Sequence, residues 1–217
     1  MAAEQDEYGT IFDTPIAWPI KQHSLLARAR ANDVAAFVDW WPASMGRRLG
    51  FQKAAEALAQ VMLDAHHSDR DTLVYPWLMC WRHFVELQLK YQLEACESYL
   101  VRHHPPPEKR NHHRILDLWR ELRPLLEELR PGDSVDEIKV VDRLIKELSK
   151  IDPDSMHSRY PKTTKGDPTM KGIAPLDVVG VHEAMTGMAG FFQGIEAALD
   201  ADEETRREIR EAYGYER

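Results

Sequence analysis

The stretch YPWLMCWRHFVELQLKYQLEACESYL, Tyr75 to Leu100, sets Arg82, His83, Glu86 and Lys90 in the middle of the most apolar helical pattern in the chain. Arg82, Glu86 and Lys90 are spaced i, i+4, i+8, which stacks them along one helix face with the acid between two cations. Two chemistries fit that row. It can be a self-compensating ladder in water, with each pair contributing only about 0.3 kcal/mol. It can also line a cleft, where Arg82 and Lys90 hold phosphate or a partner's carboxylates and Glu86 tunes them. His83 sits one position round the helix and could carry a proton near neutral pH.

Two further windows concentrate cations. In RHHPPPEKRNHHR, Arg102, Lys109, Arg110 and Arg114 face a single acid, Glu108, with His103, His104, His112 and His113 among them. The histidines are chain neighbours whose side chains diverge on a helix, and no carboxylate or cysteine completes a ligand spacing, so no metal is expected. An anion-binding patch fits better, because the window runs into the start of a helix whose free N–H groups favour anions. In HSRYPKTTKG, Arg159, Tyr160, Lys162 and Lys165 lie in a polar loop. This is either a solvated connection or a phosphate-contacting flap, with Arg159 as bidentate donor and Tyr160 as stacking surface. Glycine-rich phosphate loops, nucleophile elbows, paired thiolates and zinc-binding helix motifs are missing, so no cofactor is expected.

Helices must position these groups. Leu49, Leu58, Val61, Met62 and Ala65 recur at helical spacing from Ser44 to about His67. Leu78, Trp81, Val85, Leu89, Leu93, Cys96 and Leu100 form a broad stripe on the next helix, Tyr75–Leu100. The prolines of HHPPPEKRNHH end it. A third helix, Asn111–Leu129, carries Ile115, Leu118, Trp119 and Leu122, with a kink or restart expected at Pro124. Ser134 and Glu137 form a capping box before Val135–Ile151, whose Ile138, Val141, Leu144, Ile145 and Leu148 share a face. The last helix, Asp177–Leu199, contains Gly187, Gly190 and Gly194, each costing about 1 kcal/mol relative to alanine. That cost predicts close approach of another backbone, or a bend. Before all this, TPIAWPI breaks any helix and reads as an extended arm, followed by one or two short helices in residues 23–41 with Asp33 as a plausible cap. No alternating strand pattern occurs. The expectation is an all-α chain: an arm with short helices over 1–43, an antiparallel helical bundle over 44–199, and an acidic tail over 200–217.

Bulk properties set limits. The chain has 217 residues, 43% hydrophobic and 29% charged, enough for a proper core and too apolar for wholesale disorder. With a net charge of −8, attraction to nucleic acid or anionic lipid would have to come from a local basic patch. There is no secretory leader pattern and no membrane-length apolar run, so a cytoplasmic protein without membrane association is expected. Cys80 and Cys96 fall on one helix about 24 Å apart, too far for a disulfide, and read as buried packing groups.

Taken together, WRHFVELQLKYQLE, HHRILDLWREL, IKELSKIDPDSMHSRYPKTTKG and the final helix resemble HEPN-type proteins, the helical-bundle domains of bacterial defence and toxin–antitoxin systems. The resemblance spans roughly residues 55 to 199. It rests on Glu86–Lys90 within the long helix, on His113 opening the next helix before Trp119, and on the Arg159–Tyr160–Pro161 loop. It implies an antiparallel bundle, often a homodimer, whose active members cleave RNA. Their signature is an arginine, four to six intervening residues and a histidine; no arginine here has a histidine at that distance, and Arg110 and His113 have only two residues between them. Resemblance and cationic windows together give the expectation of a module that binds RNA, nucleotide or a cognate protein through a cationic cleft, with Glu86, Lys90, Arg110, Arg114, Arg159, Tyr160 and Lys162 as the binding residues read from those windows and the helix row. The alternative is a metal-independent endoribonuclease with His113 or His83 as acid–base and Arg82, Arg110 or Arg159 on the phosphorane charge.

Overall fold

A computed structural model describes residues 42–100, 110, 112–129, 135–173 and 175–213, with isolated positions 19, 21, 24, 25 and 36; the side chains of Ala43 and Val135 are not described. The chain divides into two units, Met1–Trp40 and Trp41–Arg217, and the second carries the helices described below. The expected N-terminal arm, the short helices after it and the Ser134 cap lie outside the described residues.

The second unit is an all-helical bundle: α1 (Ala43–Asp64), α2 (His67–Tyr99), α3 (Ile115–Leu129), α4 (Val135–Ile151) and α5 (Val178–Tyr213). Helix α2 is the organising element. At about 1.5 Å per residue its 33 residues run roughly 50 Å, and it packs against α1, α3 and α5, while α4 packs on α3 and touches α5. Its apolar stripe is as wide as the periodicity predicts: Leu78, Trp81, Val85, Leu89, Leu93 and Cys96 are buried, joined by Trp77 and Phe84. Facing them are Ala55, Ala59 and Met62 of α1, Ile115, Leu118, Trp119 and Leu122 of α3, and Met185, Met188, Ala189 and Phe192 of α5. Burial of the leucine, isoleucine, valine, phenylalanine and methionine side chains among them contributes about 1.5–3 kcal/mol each.

Several expectations need correction. Helix α2 starts at His67, earlier than Tyr75, and passes through Pro76 without ending. Helix α3 starts at Ile115 and continues through Pro124, which is exposed, so the carbonyl left without a donor can turn to water. On α1, Val61 is 54% exposed and does not belong to the core face, which runs through Ala55, Ala59 and Met62. Helix α5 continues past Leu199 to Tyr213. Its extra turns have exposed residues throughout and are supported by pairs such as Glu204 with Arg207, and by Arg206 lying 3.9 Å over the Tyr99 ring. Gly187, Gly190 and Gly194 are exposed, and a Cβ added at any of them would meet nothing within 4 Å. No other backbone approaches them there.

Both thiols are free and buried. Among the described residues no helix is long and apolar enough to cross a membrane.

Candidate functional site

The i, i+4, i+8 row on α2 is neither a solvated ladder nor an open cleft wall. Arg82 is 0% exposed and Glu86 1%, because the row turns toward the segment that enters α3 and the segment that leaves α4. Arg82 spreads its guanidinium over three elements. Nε donates to the Asp152 carbonyl at 2.9 Å, Nη1 to Glu86 Oε2 at 3.2 Å, and Nη2 to the His113 carbonyl. Burial pulls the Arg82 pKa down, while Glu86 and Asp152 oppose that pull.

Glu86 collects the other donors. Its Oε1 accepts from Lys90 Nζ at 2.8 Å and bonds His113 Nδ1 at 2.8 Å. Burial pushes its carboxyl up, but the Lys90 bond and charge, the His113 bond and the Arg82 charge together hold it below the ordinary carboxylate range. The acid is buried, whereas the histidine it grips is 56% exposed and Lys90 25% exposed. A buried carboxylate thus fixes the ring of a solvent-facing imidazole, with a lysine ammonium on the same oxygen.

Asp152 was not singled out by its sequence context, yet it organises the loop after α4. Its Oδ1 accepts the His157 N–H at 3.1 Å, and its Oδ2 accepts the Ser158 N–H at 3.1 Å and the Ser158 hydroxyl at 2.6 Å. Burial pushes this carboxyl up too, but the Ser158 and His157 donors and Arg82 hold it low overall. Further along, Thr169 Oγ1 donates to the Tyr160 carbonyl at 2.6 Å, and Lys162 and Pro168 form an isolated bridge. The turn between them closes through the Gly166 N–H to the Thr163 carbonyl at 2.9 Å, with Gly166 at φ +88°, a conformation that suits glycine. The predicted flap is therefore a built loop, and Arg82 ties its base to the His113 carbonyl. The only sequence hint of this was the Asp-Pro-Asp-Ser turn chemistry.

The remaining candidates scatter. Arg159 donates from Nε to the Ser155 carbonyl at 2.5 Å and lies 5.9 Å from the ring centre of Tyr160, which is 50% exposed. Lys162 is exposed. Arg114 is exposed and pairs with Asp117 at 2.9 Å. Arg110 grips Glu97 through both terminal nitrogens and Glu121 through Nε, and the Glu97 bond raises its pKa, so its donors are engaged within the fold. His83 is half-buried edge-on against Phe51 at 4.4 Å, and burial lowers its pKa. His103 and His104 lie outside the described residues. The structure brings Arg82, Glu86, Lys90 and His113 together and places His83 and Arg110 in packing and ion-pair roles.

Two other features lie apart from this cluster. Arg48 of α1 donates to Gln88 at 2.8 Å and to Glu196 at 2.6 Å under the Tyr91 ring, a buried polar clasp of α1, α2 and α5. A groove of about 610 Å³ lined by residues such as Leu63, Tyr75, Ile173 and Val179 contains none of the candidate residues. The linked acid–base groups sit at His113, outside that groove, and chemistry follows the groups.

The class that fold and site define is an all-helical bundle with a solvent-facing histidine held from beneath by a buried carboxylate. Comparison with protein-family models, curated proteins and solved structures finds no match to the chain.

Proposed function

We propose that the chain is a HEPN-like protein of the bacterial defence or toxin–antitoxin type that binds RNA or nucleotide on the face centred on His113. The observation that carries this reading is the pairing of the exposed His113 ring with buried Glu86, with Lys90 on the same carboxylate. Arg114 adjoins it in sequence, and Arg82 ties the base of the Arg159–Tyr160–Lys162 loop to the same point. Cations contact backbone phosphates and an exposed aromatic ring stacks on bases, so such a surface suits a single strand despite the net charge of the chain. The defence or toxin–antitoxin setting and a homodimeric state rest on the sequence resemblance.

The test is fluorescence anisotropy of a labelled single-stranded RNA titrated with protein at two salt concentrations. Binding is expected to weaken with salt, and Arg114→Ala with Lys162→Ala to weaken it further and flatten the salt slope. Affinity unchanged in that double variant contradicts the reading.

A second reading, metal-independent RNA cleavage, draws on the same Glu86–His113 pair, because a carboxylate that orients an imidazole is the arrangement a general base needs. Arg82 is wholly buried, so Arg114 or Arg159 would meet the phosphate. Incubation with total RNA and a chelator separates the readings: cleavage by the parent and not by His113→Ala supports the enzyme.

A further inference from the structure

The binding reading leaves open which part of a nucleotide meets the histidine, and Glu86 bears on that question. Its two oxygens receive Arg82 Nη1 at 3.2 Å and Lys90 Nζ at 2.8 Å, and Oε1 lies 2.8 Å from His113 Nδ1. A carboxylate ringed by cationic donors has only acceptor sites to offer, so the proton in the Glu86–His113 bond belongs to Nδ1. In a neutral imidazole the other nitrogen is then a bare lone pair. Among the described residues Nε2 has no hydrogen-bond partner, and the ring is 56% exposed. The residue is held at two points: the ring by Glu86 through Nδ1, and the backbone carbonyl by Arg82.

Resting on the binding reading, we infer that Glu86 is a positioning residue that holds His113 as its Nδ1–H tautomer, so that Nε2 accepts a hydrogen bond from a ligand hydroxyl. On RNA that donor is a ribose 2′-hydroxyl. A phosphate oxygen, which can only accept, is left to Lys90 and Arg114. The site therefore distinguishes ribose from deoxyribose by a hydrogen bond and not by charge.

The test uses the full-length chain at pH 8. Histidine ¹⁵N chemical shifts of the parent read the tautomer without any substitution; the expected result is a protonated Nδ1 and an unprotonated Nε2 on His113, and the reverse assignment overturns the inference. In parallel, a labelled uridine RNA of about twelve nucleotides and the deoxyuridine strand of the same length are titrated by anisotropy. The RNA is expected to bind about three- to tenfold more tightly, the share of one hydrogen bond. His113→Phe, on an exposed ring, is expected to bring the RNA down to the affinity of the DNA, and Glu86→Gln to shrink the preference by freeing the ring. Equal binding of RNA and DNA by the parent overturns this inference while leaving the binding function in place. If neither strand binds, the proposed function itself falls and the ligand assignment with it.

Discussion

Glu86 and His113, separated by 27 positions in sequence, meet at 2.8 Å between Oε1 and Nδ1, with the acid buried and the imidazole facing water. The contact joins α2 to the entry of α3, and Arg82 bonds both residues, Glu86 Oε2 through Nη1 and the His113 carbonyl through Nη2. Structure and proposed function are coupled here: the charges that hold the fold are the same charges that aim the ring.

Arg82 is expected to be the most costly surface-incompatible charge to remove. Arg82→Ala leaves Glu86 with one buried donor fewer and frees the carbonyls of His113 and Asp152, so a loss of about 3–5 kcal/mol is expected in chemical denaturation. Arg82→Lys should recover little of it, since one ammonium cannot span three acceptors on three elements. A loss under about 0.5 kcal/mol for the alanine variant would mean the bonds contribute nothing net.

Stability should fall on acidification. Glu86 and Asp152 are held below the ordinary carboxylate range in the folded chain, and burial keeps His83 below the ordinary histidine value. In each case the unfolded chain binds protons first as the pH drops, so their contribution is full at high pH and shrinks with acid. The His83 share goes from about pH 6.5 downward and the carboxylate share from about pH 4 downward, vanishing below the folded values. Urea midpoints measured from pH 8 to pH 3 check this, with Asp152→Asn expected to give the shallower acid limb. A parent midpoint flat across that range would contradict it.

The open glycines of α5 offer a gain. Gly187→Ala, Gly190→Ala and Gly194→Ala each place a methyl where nothing lies within 4 Å, so each should add up to about 1 kcal/mol by removing backbone freedom from the unfolded chain. Denaturation midpoints read the gain; a loss would mean that something covers this face in solution.

The thiols should be silent. Burial raises Cys80, and it pushes Cys96 up to about 12, so neither supplies thiolate at neutral pH. An aromatic disulfide reagent should react only at the rate of unfolding. Fast modification of the native chain would place a cysteine at the surface.

Much of the fold was legible in the sequence because apolar periodicity is local. Val135–Ile151 is helical between the very residues its pattern marks, and the stripe from Leu78 to Cys96 is buried as read. The site was less legible. The spacing of Arg82, Glu86 and Lys90 is the same in water and in a core; the His113 and Asp152 carbonyls that engage the buried Arg82 are 31 and 70 positions away, which no local window contains. His113 and Glu86 could both be picked out as candidates, but not that the one orients the other across 27 positions. Arg110 looked free because Glu97 and Glu121, which engage it, lie on other elements.

The most direct test of the central claim is to map where RNA touches the protein, by following backbone and histidine resonances of the labelled chain as a single-stranded oligonucleotide is added. The expected result is a set of shifts concentrated at His113, Arg114 and Lys90 and on the loop from Arg159 to Lys165. Shifts confined to the groove around Leu63 and Tyr75, or none at saturating RNA, would contradict it.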